Sequence, residues 1–153
     1  MLGKGRYPRL KGFDYTAQRS YFVTFVVRDR RAIFFEADAA QAVVRAMMFY
    51  RARGWYWLYG YCVMPDHAHM VLRPQSQARS LAAIVGQIKR AASHHCRQQG
   101  LFFAWQDGFH DRIVREYETS AKMVEYILLN PVRAGIVSDS SEYPFSGRPD
   151  SYL

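Results

Sequence analysis

Cysteine is nearly absent. Of 153 residues only Cys62 and Cys96 carry a thiol, and neither lies in a paired ligand spacing. That excludes a disulfide-built scaffold and a four-cysteine metal site, and it reads as two reduced thiols in a cytoplasmic chain. No stretch approaches 18 uninterrupted apolar residues, so no membrane span is expected. The opening Met1-Leu2-Gly3-Lys4-Gly5-Arg6 lacks the apolar run of a secretory signal. Acidic side chains are also scarce, 13 Asp and Glu against 21 Lys and Arg, which leaves a formal net charge of +8. Apolar residues, by contrast, are plentiful: half the chain is hydrophobic and 16% is aromatic. A chain of this length and composition is expected to form one domain over residues 1–153 that buries roughly 70% of its unfolded surface. Intrinsic disorder is excluded on the same grounds.

The positive charge is unevenly placed. Residues 1–31 hold Lys4, Arg6, Arg9, Lys11, Arg19, Arg28, Arg30 and Arg31 against Asp14 and Asp29 alone, with Tyr7, Phe13, Tyr15 and Tyr21 among them. Cations interleaved with flat rings suit a polyanion that offers unpaired bases, and a solvated basic surface has the same composition. No long basic amphipathic helix accompanies them, so a membrane surface is not the expected partner.

Along the chain, residues 20–28 (SYFVTFVVR) read as a buried strand. A helix follows over 36–53, with Ala39, Val43, Met47 and Tyr50 along one stripe, stopped by Gly54. Residues 55–63 and 67–73 read as a hairpin turned at Met64-Pro65-Asp66. Leu81, Ile84, Val85 and Ile88 mark a helix from an N-cap at Ser80 to about Gln98. A fourth strand is expected within 108–116, and a last helix over 119–130, closed because Pro131 biases Asn130 away from helical geometry. A basic segment 1–19 and an irregular tail 132–153 flank these elements. The order β-α-β-β-α-β-α is α+β. It implies a ferredoxin-like (split βαβ) antiparallel sheet with helices on one face, plus a C-terminal helix. That scaffold serves many functions, so function rests on sites.

Two clusters carry chemistry. His67-Ala68-His69 lies on a strand, and alternation with period 2 puts both imidazoles on one face, a bidentate platform for a divalent metal. Histidines that only pack or hydrogen-bond share this pattern. On the last helix Tyr126 and Asn130 fall one turn apart, off the apolar stripe of Val124, Ile127 and Leu128. A phenol, whose ordinary pKa is about 10, needs a nearby cation or base to act as a nucleophile. An amphipathic tyrosine and a helix-closing asparagine look the same in sequence. Tyr117 is the rival nucleophile, but no amide stands four residues beyond it. His94, His95 and His110 read as surface or packing residues, and the aromatic run Trp55, Trp57, Tyr59 and Tyr61 as sheet packing rather than base-stacking platforms. A histidine-triad hydrolase is excluded because position 71 is Val.

The segment Tyr61–Pro74 (YCVMPDHAHMVLRP) closely resembles the His-hydrophobic-His block, the HUH motif, of single-tyrosine transposases. Residues 126–137 (YILLNPVRAGIV) resemble the family's second signature, and residues 105–112 (WQDGFHDR) a third block. Arg9-Leu10-Lys11-Gly12 and Tyr21-Phe22-Val23-Thr24 match as well, so the resemblance spans nearly the whole chain in order. The nearest subgroup is the REP-associated tyrosine transposases. One departure is Asp66, where many members carry Asn; both suit a turn.

The resemblance implies that His67 and His69 bind a divalent metal, Mg²⁺ or Mn²⁺, with Asn130 as third ligand, and that Tyr126 is the nucleophile. It implies cleavage and rejoining of single-stranded, hairpin-forming DNA through a 5′-phosphotyrosine, by a monomer or a homodimer. A binding module without chemistry is the alternative. Arg6, Arg9, Lys11, Arg73, Lys89, Arg90, Arg112 and Arg115 are the candidate DNA contacts.

Overall fold

The structure is a computed structural model and describes residues 19–115 and 117–151. In chain order the elements are β1 (Ser20–Val26), α1 (Ala37–Ala52), β2 (Tyr56–Met64), β3 (His67–Pro74), α2 (Leu81–Gln98), β4 (His110–Val114), α3 (Tyr117–Leu128), α4 (Asn130–Arg133) and β5 (Ser146–Gly147). The sheet runs β4-β1-β3-β2-β5, and every pairing is antiparallel. The first four strands thus take the split βαβ arrangement, and the fold is α+β as the element order implied.

Local chemistry accounts for the boundaries. Gly54 and Gly100, just past α1 and α2, both adopt φ near +78°, the left-handed geometry that ends helices and that residues with a Cβ avoid. The Ser80 hydroxyl accepts the Ala83 N–H and caps α2. Pro65 and Asp66 turn the tight hairpin between β2 and β3.

Two cores lie on the two faces of the sheet. Tyr21, Val23 and Phe25 of β1 and Ala68, Met70 and Leu72 of β3 point to one face, where α1 and α2 cover them. The opposite face carries Val71, Tyr59, Cys62 and Met64, packed against Val124 and Ile127 of α3 and against Tyr143. Gly60 makes that second packing close: a Cβ there would lie 2.8 Å from Val124 Cγ1. The register slips between Leu58 and Gly60, so Tyr59 is the extra residue of a bulge beneath α3.

Two expectations are corrected. The last helix stops at Leu128 because Pro131 has no N–H to return to the Ile127 carbonyl, but Asn130 is not extended. It opens the short α4, with Pro131 in the first turn, where the missing N–H costs nothing. The tail is also less irregular than expected. It holds α4, a single 3-10 turn at Ser140–Glu142, and β5 paired to β2. The Tyr143 hydroxyl donates to the Val63 carbonyl. Asp150 accepts the Leu58 N–H at 2.7 Å and grips Arg51 at 2.9 and 2.6 Å, which closes the open edge of β2.

Candidate active site

The sheet register builds the site. Cys62 pairs with His69, His69 with Thr24, and Thr24 with His110, so one row of side chains crosses four strands on the α3 face. His67 lies one step along, paired with Val26 and Met64. The alternation that places both imidazoles on one face is therefore realised.

The two rings converge. His67 Nε2 and His69 Nε2 are 3.1 Å apart, with ring centroids 4.7 Å apart and planes at 80°. Each ring's other nitrogen is held. His67 Nδ1 lies 2.6 Å from Asp66 Oδ1, and His69 Nδ1 lies 2.8 Å from Thr24 Oγ1. A carboxylate only accepts, so His67 donates from Nδ1 and turns Nε2 toward His69. The hydrogen bond from His67, with the Arg30 guanidinium 3.0 Å from the other oxygen, holds Asp66 below the ordinary carboxylate range. Burial, then the charges of His67 and Arg133, hold His69 well below the ordinary imidazole range, so this ring is neutral at pH 7. Asp66 therefore does more than turn the hairpin: it fixes the tautomer of its neighbour. Arg30 reaches it from a turn in which both Asp29 and Arg30 have positive φ, at 58° and 54°. Such geometry costs roughly 1–2 kcal/mol per residue with a Cβ.

Tyr126 enters from α3. Its side chain is 54% exposed and lines an open cleft of about 550 Å³ together with His69, Thr24, Phe22, His110 and Arg112. Phe22 stacks edge-on against His69 at 5.3 Å and sits 6.4 Å from the Tyr126 ring, bridging the two. Arg133 closes the other side. Its guanidinium lies 4.0 Å over the Tyr126 ring, and Nη2 donates to the Tyr126 carbonyl at 2.6 Å and, more loosely, to Asn130 Oδ1 at 3.5 Å. One side chain thus joins the tyrosine to the asparagine, and its charge also acts on His69 and Cys62. Burial pushes the Cys62 thiol up to about 12, which leaves it a protonated spacer beside His69.

The basic candidates separate by face. Arg112 lines the cleft with its guanidinium 5.9 Å from the Phe22 ring, and Arg73 and Arg115 meet Arg19 in a second hollow at the end of the sheet. Lys89 and Arg90 are not brought to the cleft. They sit on α2, behind the other face, where Lys89 donates to the Gln106 and Gly108 carbonyls and Arg90 to Gln87 Oε1. Lys89 therefore anchors the loop before β4, away from the cleft. Arg6, Arg9 and Lys11 lie outside the described residues.

Sequence reasoning missed Thr24, Asp66, Arg133 and the placement of His110. Arg133 had a legible signal: it falls seven residues after Tyr126 and three after Asn130, on one helical face. Thr24 became the neighbour of His69, and His110 joined the row beyond it, only through strand register.

The chain's residues 15–129 match the family described as "Transposase IS200 like", and the chain belongs to that family. Its similarity extends to transposases of the tyrosine type. The REP-associated tyrosine transposase of Escherichia coli (strain K12) is 26% identical over 127 residues, covering 83% of this chain and 74% of that protein. A solved structure of a REP-associated tyrosine transposase bound to a REP hairpin superposes with a TM-score of 0.75 at 25% identity, over 93% of this chain and 81% of that one.

Proposed function

We propose that this transposase cuts and rejoins single-stranded, hairpin-forming DNA by transesterification, with Tyr126 as nucleophile and a divalent metal held by His67, His69 and Asn130. The observation that carries the reading is the shared cleft: Tyr126 and His69 line one opening, while the two Nε2 atoms converge at 3.1 Å. Nitrogens bound about 2.1 Å from one ion at a right angle lie roughly 3.0 Å apart, so the pair fits an ion of octahedral preference. Among the described residues no group of three or more His, Cys, Asp or Glu could hold a metal. The candidate third donor is the Asn130 amide oxygen, linked by Arg133 to Tyr126. A nitrogen and oxygen donor set suits Mg²⁺ or Mn²⁺, in a transposase class that is generally metal-dependent. When bound, such an ion polarises a phosphate oxygen and offsets the charge of an in-line displacement.

The chain's own residues supply the rest. Asp66 and Thr24 hold the two imidazoles through their Nδ1 atoms and so orient the rings. Arg133 holds the Tyr126 ring and offers a guanidinium to the phosphate that the tyrosine attacks. The Tyr126 oxygen loses its proton and bonds to phosphorus, and the bond to the 3′ oxygen breaks. That oxygen takes up a proton and leaves as a free 3′-OH, with the 5′ phosphate on Tyr126. Attack by another 3′-OH reverses the step, so no external energy source is required. The hairpin-bound structure of a relative supports a hairpin substrate for this chain as well.

The test is a labelled hairpin with single-stranded flanks, incubated with protein and Mg²⁺ or Mn²⁺ and run on a denaturing gel. Wild type is expected to form a covalent adduct, prevented by chelator added beforehand, and Tyr126→Phe none, with DNA binding retained. An adduct from Tyr126→Phe would overturn the nucleophile assignment. Tight binding with no adduct in either metal would leave a binding module instead.

A further inference from the structure

The Arg19, Arg73 and Arg115 side chains come from three adjacent segments, at the start of β1, in β3 and just after β4, and they line one hollow of about 490 Å³ with Ser20, Ile113 and Val114. All three arginines are exposed, and among the described residues no acidic side chain lines the hollow. The hollow has a fixed relation to the active site. Arg73 stands four residues beyond His69 on β3, Ser20 four before Thr24 on β1, and Val114 four beyond His110 on β4. Four residues of strand span about 13 Å. Arg112 lies between the two, in the row of Phe22. Cations therefore continue from the cleft to the end of the sheet.

A second feature lies in the same row. Trp57 pairs across the strands with Arg73, on the face of the histidines, and it is 47% exposed. Its neighbours in sequence are not: Tyr56, Leu58 and Tyr59 are buried. The reading of this aromatic run as packing is thus corrected at Trp57. An indole kept at the surface beside Arg73, itself one of the three arginines of the hollow, presents a flat ring next to an anion site. That combination matches a strand of nucleic acid, whose phosphates and base faces alternate along its length, better than an isolated anion.

We propose that Arg19, Arg73 and Arg115 form a phosphate subsite for the single strand of DNA flanking the cleavage position, with Trp57 stacking one of its bases. The proposal rests on the reading of the chain as acting on DNA. It adds where the flank runs: from Tyr126 past Arg112 to the end of β3, opposite α1 and α2.

The test compares a blunt hairpin with the same hairpin carrying a single-stranded tail of about eight nucleotides on one side or the other. Fluorescence anisotropy is measured across a salt series, and adduct formation on the tailed hairpin is scored in parallel. Wild type is expected to bind one of the tailed hairpins more tightly than the blunt one. The double variant Arg73→Gln, Arg115→Gln should lose most of that gain, and its log affinity should fall less steeply with log salt, by about 1.4 in slope. Trp57→Ala should lose about fivefold or more of the gain with the slope unchanged. Circular dichroism melts confirm that the variants fold, and Arg73→Lys should keep the wild-type slope. Variants that keep both gain and slope would overturn the subsite, even if wild type forms the adduct. A lost gain without any wild-type adduct would keep the subsite and remove the cleavage reading.

Discussion

At the scale of single residues, the site depends on small groups behind the histidines. Thr24 meets His69 Nδ1 through one hydroxyl, buried in the centre of the sheet. Thr24→Val keeps the shape and removes the partner, so it should cost about 1–3 kcal/mol of stability. It should also weaken metal-dependent cleavage by about 10- to 100-fold, the usual effect of losing a group that orients a ligand. Titrating adduct formation against Mn²⁺ concentration measures this directly. Asp66 gives a sharper contrast. Asp66→Asn keeps an oxygen that accepts from His67 Nδ1, and activity should stay within a few-fold of wild type. Asp66→Leu, with no acceptor, should fall by about 10- to 100-fold. Equal losses in both would show that the carboxylate charge, rather than the fixed tautomer, is what His67 requires.

At the scale of elements, the approach of α3 to the sheet positions Tyr126, and Gly60 permits that approach. A methyl at position 60 would lie 2.8 Å from Val124 Cγ1, so either β2 or α3 must shift. Gly60→Ala should therefore destabilise the protein by about 1–3 kcal/mol and slow adduct formation, because the tyrosine moves with its helix. Val124→Ala in the same chain removes the obstructing methyls. The double variant should be less impaired than the sum of the two single variants, and a double-mutant cycle on urea midpoints reads this coupling. Strict additivity would mean that α3 does not rest on Gly60. The α3 boundary also shows what sequence legibly held. Pro131 announced a break, and the break is there. The chain's immediate return to helix at Asn130 followed from Pro being tolerated in a first turn, a choice that the dipeptide preference alone decides wrongly.

For the whole molecule, the tail is a clasp over the edge of the sheet. Asp150 joins α1, through Arg51, to the backbone of β2 at Leu58. The Arg51 hydrogen bond, with the Leu58 N–H and the Arg51 charge behind it, holds the Asp150 carboxyl below its ordinary range. A carboxyl depressed in the folded state binds protons more readily when unfolded. Its stabilisation is thus present above the unfolded value, about 3.9, and is lost as pH falls through the folded one. Asp150→Asn should cost about 1–2 kcal/mol at pH 7. The gap to wild type in thermal melts should then narrow as pH drops below about 4. A gap that is constant with pH would mean that the carboxylate charge plays no part in the clasp.

The sequence by itself determined the local chemistry. Period-2 alternation put His67 and His69 on one face, glycine ended α1 and α2, serine capped α2, and proline turned the hairpin, because each depends on neighbours within a few residues. The family blocks were legible for the same reason, as contiguous strings. Tertiary structure alone decided which distant groups meet. Thr24 reaches His69, 45 residues away in the chain, through antiparallel register, and His110 joins the same row beyond Thr24. Lys89 was drawn away to loop carbonyls, while Arg19, Arg73 and Arg115 were gathered at one end of the sheet. Register and packing are set by the sum of many burial terms over the whole core. A side chain's partner across the sheet is therefore written nowhere near it in the chain.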